Sequence, residues 1–163
     1  MKRSTRIVGA AGATASLVAA AVLLSTSAGA TPSNGLTSEL LTRGGAGEFR
    51  IVDRDMRFSM KAGEPTDVAL VKATLAPGGQ TGFHQHPGQS LVIVQSGTMT
   101  TKEEQHRRCI TDTVAPGEAF VHPEGSHNFI NNTTEPVVFY VAYFVPEGAA
   151  PLLNDAMPPD ACR

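Results

Sequence analysis

From Phe49 to Val145 the chain is a succession of short β-rich segments, each closed by Gly, Pro or Asn. That layout restricts it to strands joined by tight turns. Phe49–Val52 and Met56–Met60 each alternate, and Val68–Leu75 (VALVKATL) runs into Pro77-Gly78-Gly79. Leu91–Gln95 (LVIVQ) meets Ser96-Gly97 and gives way to Thr98–Thr101. Cys109–Val114 leads through Pro116-Gly117 to Ala119–His122, and Asn128–Ile130 ends in polar Asn131–Thr134. Val137–Val145 (VVFYVAYFV) is the most apolar run and predicts a strand covered on both faces. The one hint of helix is a turn or two near Ser38–Leu41. About eight to ten short strands with regular turns imply an all-β sandwich or closed barrel. The 163 residues, 41% hydrophobic and 17% charged, suit one globular domain and exclude a disordered chain. No internal repeat, coiled coil or second domain is visible.

The first thirty residues read differently. Lys2, Arg3 and Arg6 precede an apolar run from Ile7 to Leu24, and Ala28-Gly29-Ala30 follows as a small-x-small site. This is the layout of a secretory signal peptide over residues 1–30, cut after Ala30. Uncleaved, the run would be nearly long enough to span a bilayer, which takes about 20 apolar residues. Cleavage removes three cations and no anions, leaving 10 Lys and Arg against 15 Asp and Glu. The expected product is an acidic, secreted domain with no membrane attachment. Its charge excludes nucleic acid as a partner, because phosphates need a basic patch. Residues 31–47 read as a flexible N-terminal arm, 48–147 as the barrel and 148–163 as a C-terminal tail. Export makes a disulfide between Cys109 and Cys162 feasible, and such a bond would tie down the Pro-rich tail.

The five histidines carry most of the functional information. His84 and His86 form H-x-H in GFHQHPGQS. On an extended chain, residues two apart point to one face, so both imidazoles project into one space. His127, in PEGSHNFIN, would complete a three-nitrogen divalent-metal site with open positions for water or substrate. His122, just before Pro123, is the alternative third ligand, or else a neighbouring proton acceptor. His106 lies in the charged stretch KEEQHRR, which reads as a solvated hairpin. Phe83, Val92, Val94, Phe139 and Tyr143 are candidates to line an apolar pocket. Asn131-Asn132-Thr133-Thr134 contains two glycosylation sequons and reads as a turn, with Asn131 bonding its own backbone.

These residues resemble the two signature motifs of the cupin superfamily. The first runs Gly78, His84, His86, Ser90, Gly97 in the spacing G-x5-H-x-H-x3-(acid)-x6-G, with Ser90 in the acidic position. The second runs Gly117, Pro123, Gly125, His127, Asn131, one residue short before the His. The resemblance covers roughly residues 68–145 and implies a single jelly-roll β-barrel. It implies His84, His86 and His127 as ligands without a carboxylate, as in some cupin oxygenases. Gln89, Ser90 and His122 are expected around them. Imidazoles allow Fe, Mn, Zn, Ni or Cu. A neutral ligand set leaves the ion's full charge, which favours an anionic substrate or bound hydroxide. The expected function is a metal-dependent, oxygenase-like enzyme on a small molecule. The alternative is a binding module outside the cytoplasm without turnover. Exposed sheet edges need covering, so a homodimer is the expected assembly, with the C-terminal apolar strand as one candidate interface.

Overall fold

The computed structural model describes residues 32–122, 125–149 and 154–163. The signal peptide read over residues 1–30 lies outside the described residues. The described residues form ten strands: β1 (Asn34–Asp53), β2 (Phe58–Gln80), β3 (His84–Gln85), β4 (Gln89–Ser96), β5 (Met99–Gln105), β6 (Arg108–Val114), β7 (Ala119–His122), β8 (His127–Ile130), β9 (Val137–Pro146) and β10 (Asn154–Asp155). A short 3-10 turn, Asp160–Cys162, ends the chain. The strands form two layers that curl into a nearly closed barrel. One layer runs β1-β2-β9-β4-β7 and the other β6-β5-β8-β3-β10, joined where Gln80 of β2 pairs Ile130 of β8. Among the described residues no helix is long and apolar enough to cross a membrane.

Alternation builds the interior. On β2, Asp67, Ala69, Val71, Ala73 and Leu75 are buried while the residues between them are half-buried. On β9 the buried set is Val137, Phe139, Val141, Tyr143 and Val145. These meet Val92, Val94, Met99 and Phe129 in one core. The most apolar run is therefore covered fully on one face only. Its continuous hydrophobicity reflects a central strand, paired with β2 on one side and β4 on the other. A strand so placed has no edge to offer a second copy. Among the described residues the edges of that sheet are β1, which pairs β2 alone, and β7, which pairs β4 alone.

Two expected boundaries are corrected. Residues 31–47 are no loose arm: from Asn34 onward they lie on β1, including the stretch that hinted at helix. β1 runs antiparallel to β2 with several register shifts. It went unread because an edge strand is held by backbone bonds and buries little; only Leu36, Arg43 and Phe49 are half-buried. Arg43 bonds Asp67 at 2.6 Å, and the Gly148 N–H donates to the same carboxylate. That backbone bond and the guanidinium together hold Asp67 below the usual carboxylate range. The C-terminal tail is also docked. Asn154 and Asp155 pair with β3, and Cys162 forms a disulfide with Cys109 on β6, with Cα atoms 4.9 Å apart.

Beyond the barrel, β1 and β2 continue as a two-stranded ribbon, with Phe49 opposite Ala62, Ile51 opposite Met60 and Asp53 opposite Phe58. Ile51, Val52, Met56 and Phe58 are exposed there. The β5–β6 hairpin turns at His106 and Arg107, both at positive φ (51° and 63°), as a two-residue mirror-image turn requires. His106 is exposed at that tip and is not part of the histidine cluster.

Candidate metal centre

Three elements deliver three imidazoles to one place. His84 lies on β3, directly opposite His127 on β8. His86 follows two residues after His84, on the turn into β4. Ligand atoms of His84, His86 and His127 all lie within 4.8 Å of one another. Ring centroids are 4.1 Å apart for His84–His127, 4.8 Å for His86–His127 and 5.6 Å for His84–His86. His84 and His127 are each 1% exposed, which is rare for a polar ring without a task.

The backbone fixes which nitrogen each ring presents. His84 Nδ1 lies 2.9 Å from Gly82 O, His127 Nδ1 3.1 Å from Gly125 O, and His86 Nδ1 3.4 Å from Gly88 O. A carbonyl only accepts, so each Nδ1 carries the proton and each Nε2 its lone pair. Gly82 and Gly125 sit at φ 70° and 128°, a region that favours glycine. Phe129 walls the cluster, with ring centroids 5.2 Å from His127 and 5.9 Å from His84.

The fit to a metal is good. Metal–nitrogen bonds of about 2.1 Å bring any two ligand nitrogens within about 4.2 Å, so small ring rotations suffice. His127 Nε2 is buried without a hydrogen-bond partner, a costly state that a bound cation relieves. Burial lowers the His84 pKa to about 4, against the opposing pull of the Gly82 carbonyl. Burial also lowers His86 and His127, with the neighbouring rings adding to the effect on His127. All three are therefore neutral near pH 7, as ligation requires.

The residues expected around the ligands divide. Ser90 is 2% exposed, opposite Tyr143 on β9 and His122 on β7, with its hydroxyl unpartnered. His122 is 3% exposed and stacks on His127 at 3.5 Å between ring centroids, 29° from parallel. Gln89 is exposed on the outside of β4, since adjacent strand residues face opposite ways. This is the outward phase that its position next to Ser90 implies. Sequence reasoning missed Glu103. This carboxylate lies opposite His127 across β5 and β8, and its Oε2 is 2.8 Å from His122 Nε2. The charged run around it reads as solvent-facing, but counting from buried Met99 and Thr101 puts Glu103 on the inner face. The site therefore has a negative group, supplied by β5.

An apolar cavity opens beside His84, lined by Leu36, Val71, Phe129, Phe139, Val141 and Tyr143 together with Thr81 and Ser38. Phe139 and Tyr143 stand where expected. Val92 and Val94 are instead packed in the core, and Phe83 is buried away from the cavity lining. Burial raises the Tyr143 phenol to about 12, so it stays protonated.

The family model for the cupin domain matches residues 71–143, which hold both motifs and the three clustered histidines. The chain belongs to the cupin superfamily. Among curated cupins it resembles the germin-like protein subfamily 1 member 7 of Arabidopsis thaliana, 34% identical over 67 residues. That match covers 38% of this chain and 29% of the relative, so the chain spans well under half of that protein. Two solved structures share the cupin fold at 20% identity and a TM-score of 0.51. The polyketide cyclase RemF from Streptomyces resistomycificus aligns over 80% of this chain and 78% of its own. A recombinant oxalate oxidase in complex with glycolate aligns over 74% and 55%.

Proposed function

We propose that this cupin is an exported protein that holds one divalent metal ion on His84, His86 and His127 and acts on a small anionic molecule. One observation carries the reading: three buried imidazoles within 4.8 Å, each with Nδ1 against a glycine carbonyl and Nε2 left to ligate. Bound there, the ion would supply Lewis acidity or redox chemistry at its open positions. Three neutral ligands add no charge of their own, and with Glu103 as the carboxylate placed beside them a divalent ion keeps a net positive charge, which favours a carboxylate or similar anion. The protein's own contributions are distinct. The cavity gives His84 a mostly apolar wall for the substrate to lie against. The Glu103–His122 pair is the nearest group able to hold or move a proton. The signal-like residues 1–30 and the disulfide both support an extracytoplasmic setting.

The test is metal content by elemental mass spectrometry on the purified barrel, wild type beside His84→Ala/His86→Ala. Roughly one ion per chain, lost in the variant, is expected for a single site. No metal in either protein after reconstitution would defeat the proposal. An oxygenase reaction is the catalytic form we favour, and dioxygen uptake with iron(II) loaded protein and small carboxylates tests it. Ser90 in the acidic position favours a second reading, a metal-dependent binding module without turnover. Any turnover that is lost in His84→Ala would exclude that reading.

A further inference from the structure

The C-terminal segment crosses the strand that carries His84. β3 is two residues long and has a single backbone pair on the barrel side, His84 with His127 of β8. On its other side β10 contributes two, Asp155 with His84 and Asn154 with Gln85. The Ala156 N–H then donates to Phe83 O at 2.8 Å, and the Ser126 hydroxyl donates to Met157 O at 3.1 Å. The segment thus grips the chain beside His84 and beside His127 at once. Two-residue strands at a sheet edge do not hold themselves in place. Cys162, 6% exposed, fixes the far end through its bond to Cys109, 53 residues earlier on β6 of the same sheet.

We infer that residues 154–163 form a strap that positions His84 and His127 for the metal, and that the Cys109–Cys162 disulfide is its lock. The inference rests on the three-histidine metal reading above. An external dithiol opens the lock by a two-electron exchange. The S–S bond breaks, both cysteines become thiols, and the dithiol departs as its own disulfide. The strap then keeps its edge backbone bonds and the Ser126 hydroxyl bond but loses its covalent anchor, β3 frays, and the two rings must be re-ordered before they can ligate. Groups that hold metal ligands in place are typically worth 10–100-fold in affinity.

The test compares Zn²⁺ affinity, by competition with a chromophoric chelator, in oxidised wild type and in Cys109→Ser/Cys162→Ser. Amide exchange is followed on both without metal. The variant is expected to bind at least about tenfold more weakly, with faster exchange at residues 83–86 and 154–157. Affinity within twofold, with protection at 83–86 unchanged, would overturn the inference. Ala156→Pro deletes the bond to Phe83 O with the disulfide intact, and it decides the matter if the serine variant does not fold. Weaker Zn²⁺ binding at an unchanged unfolding midpoint supports the strap, and unchanged binding refutes it. A wild type that takes up no Zn²⁺ refutes the metal reading and the affinity claim together, and exchange at 83–86 still decides whether the lock holds the strap.

Discussion

An imidazole that donates from Nδ1 keeps its lone pair at Nε2, and in this barrel each of the three acceptors is a glycine carbonyl. Two of them come two residues before the ring, as Gly82-Phe83-His84 and Gly125-Ser126-His127. The metal-free rings are neutral because they are buried, and this gives stability a pH dependence with a definite sign. The folded pKa of His84, about 4, lies below its unfolded value of 6.5, so the unfolded chain takes up the proton first on acidification. Stability is complete above about pH 6.5 and falls as pH drops toward 4, by on the order of 2–3 kcal/mol for this ring. Urea unfolding of metal-free protein at pH 7 and 4.5 checks it, and His84→Asn should flatten the slope. Asn131 makes a separate prediction. Fully buried, its amide donates to Leu75 O, Ala76 O and Glu135 O and accepts from Thr133, joining the end of β2 to the turn before β9. Asn131→Ala removes these bonds at once and should cost about 2–4 kcal/mol with metal stoichiometry retained, read from the urea midpoint. At this scale the histidines were legible, because H-x-H and the paired motif spacings are local. Glu103 was hidden inside a charged run, and only the strand's phase exposes it.

Strand positions could be read wherever a strand buries one face, as on β2, β4 and β9. They could not be read on β1, whose polar, glycine-rich sequence is held by backbone pairing at an edge. Nor does sequence show that β2 and β1 outrun the barrel together. Among the described residues that ribbon is paired only as β1 with β2, and two strands alone are marginal in water. Its tip should therefore open before the barrel does. Limited trypsin digestion is expected to cut first after Arg54 or Arg57, leaving an intact disulfide-linked barrel that still binds metal. Resistance at the tip that vanishes on dilution would instead identify a second copy covering the exposed Ile51, Val52 and Phe58. The β5–β6 hairpin also carries exposed arginines, but its two-residue turn and the nearby disulfide hold it shut.

For the whole molecule, the apolar run Val137–Val145 correctly indicated a core strand, while its position at the centre of a sheet depends on pairings across the chain. Leu75 of β2 meets Val137, and Thr66 meets Pro146. β4 reaches the same strand from its other side. Contacts so distant in sequence make folding slow, and refolding after dilution from urea is expected on a timescale of roughly milliseconds to seconds, followed by stopped-flow fluorescence of Tyr140 and Tyr143. The same arrangement bears on biosynthesis. Until residue 146 has been made, β2 and β4 have no strand between them, and the first sheet exists only as hairpins with open edges. A nascent chain therefore cannot close the barrel through most of its own synthesis, and completes it only after its last long strand emerges.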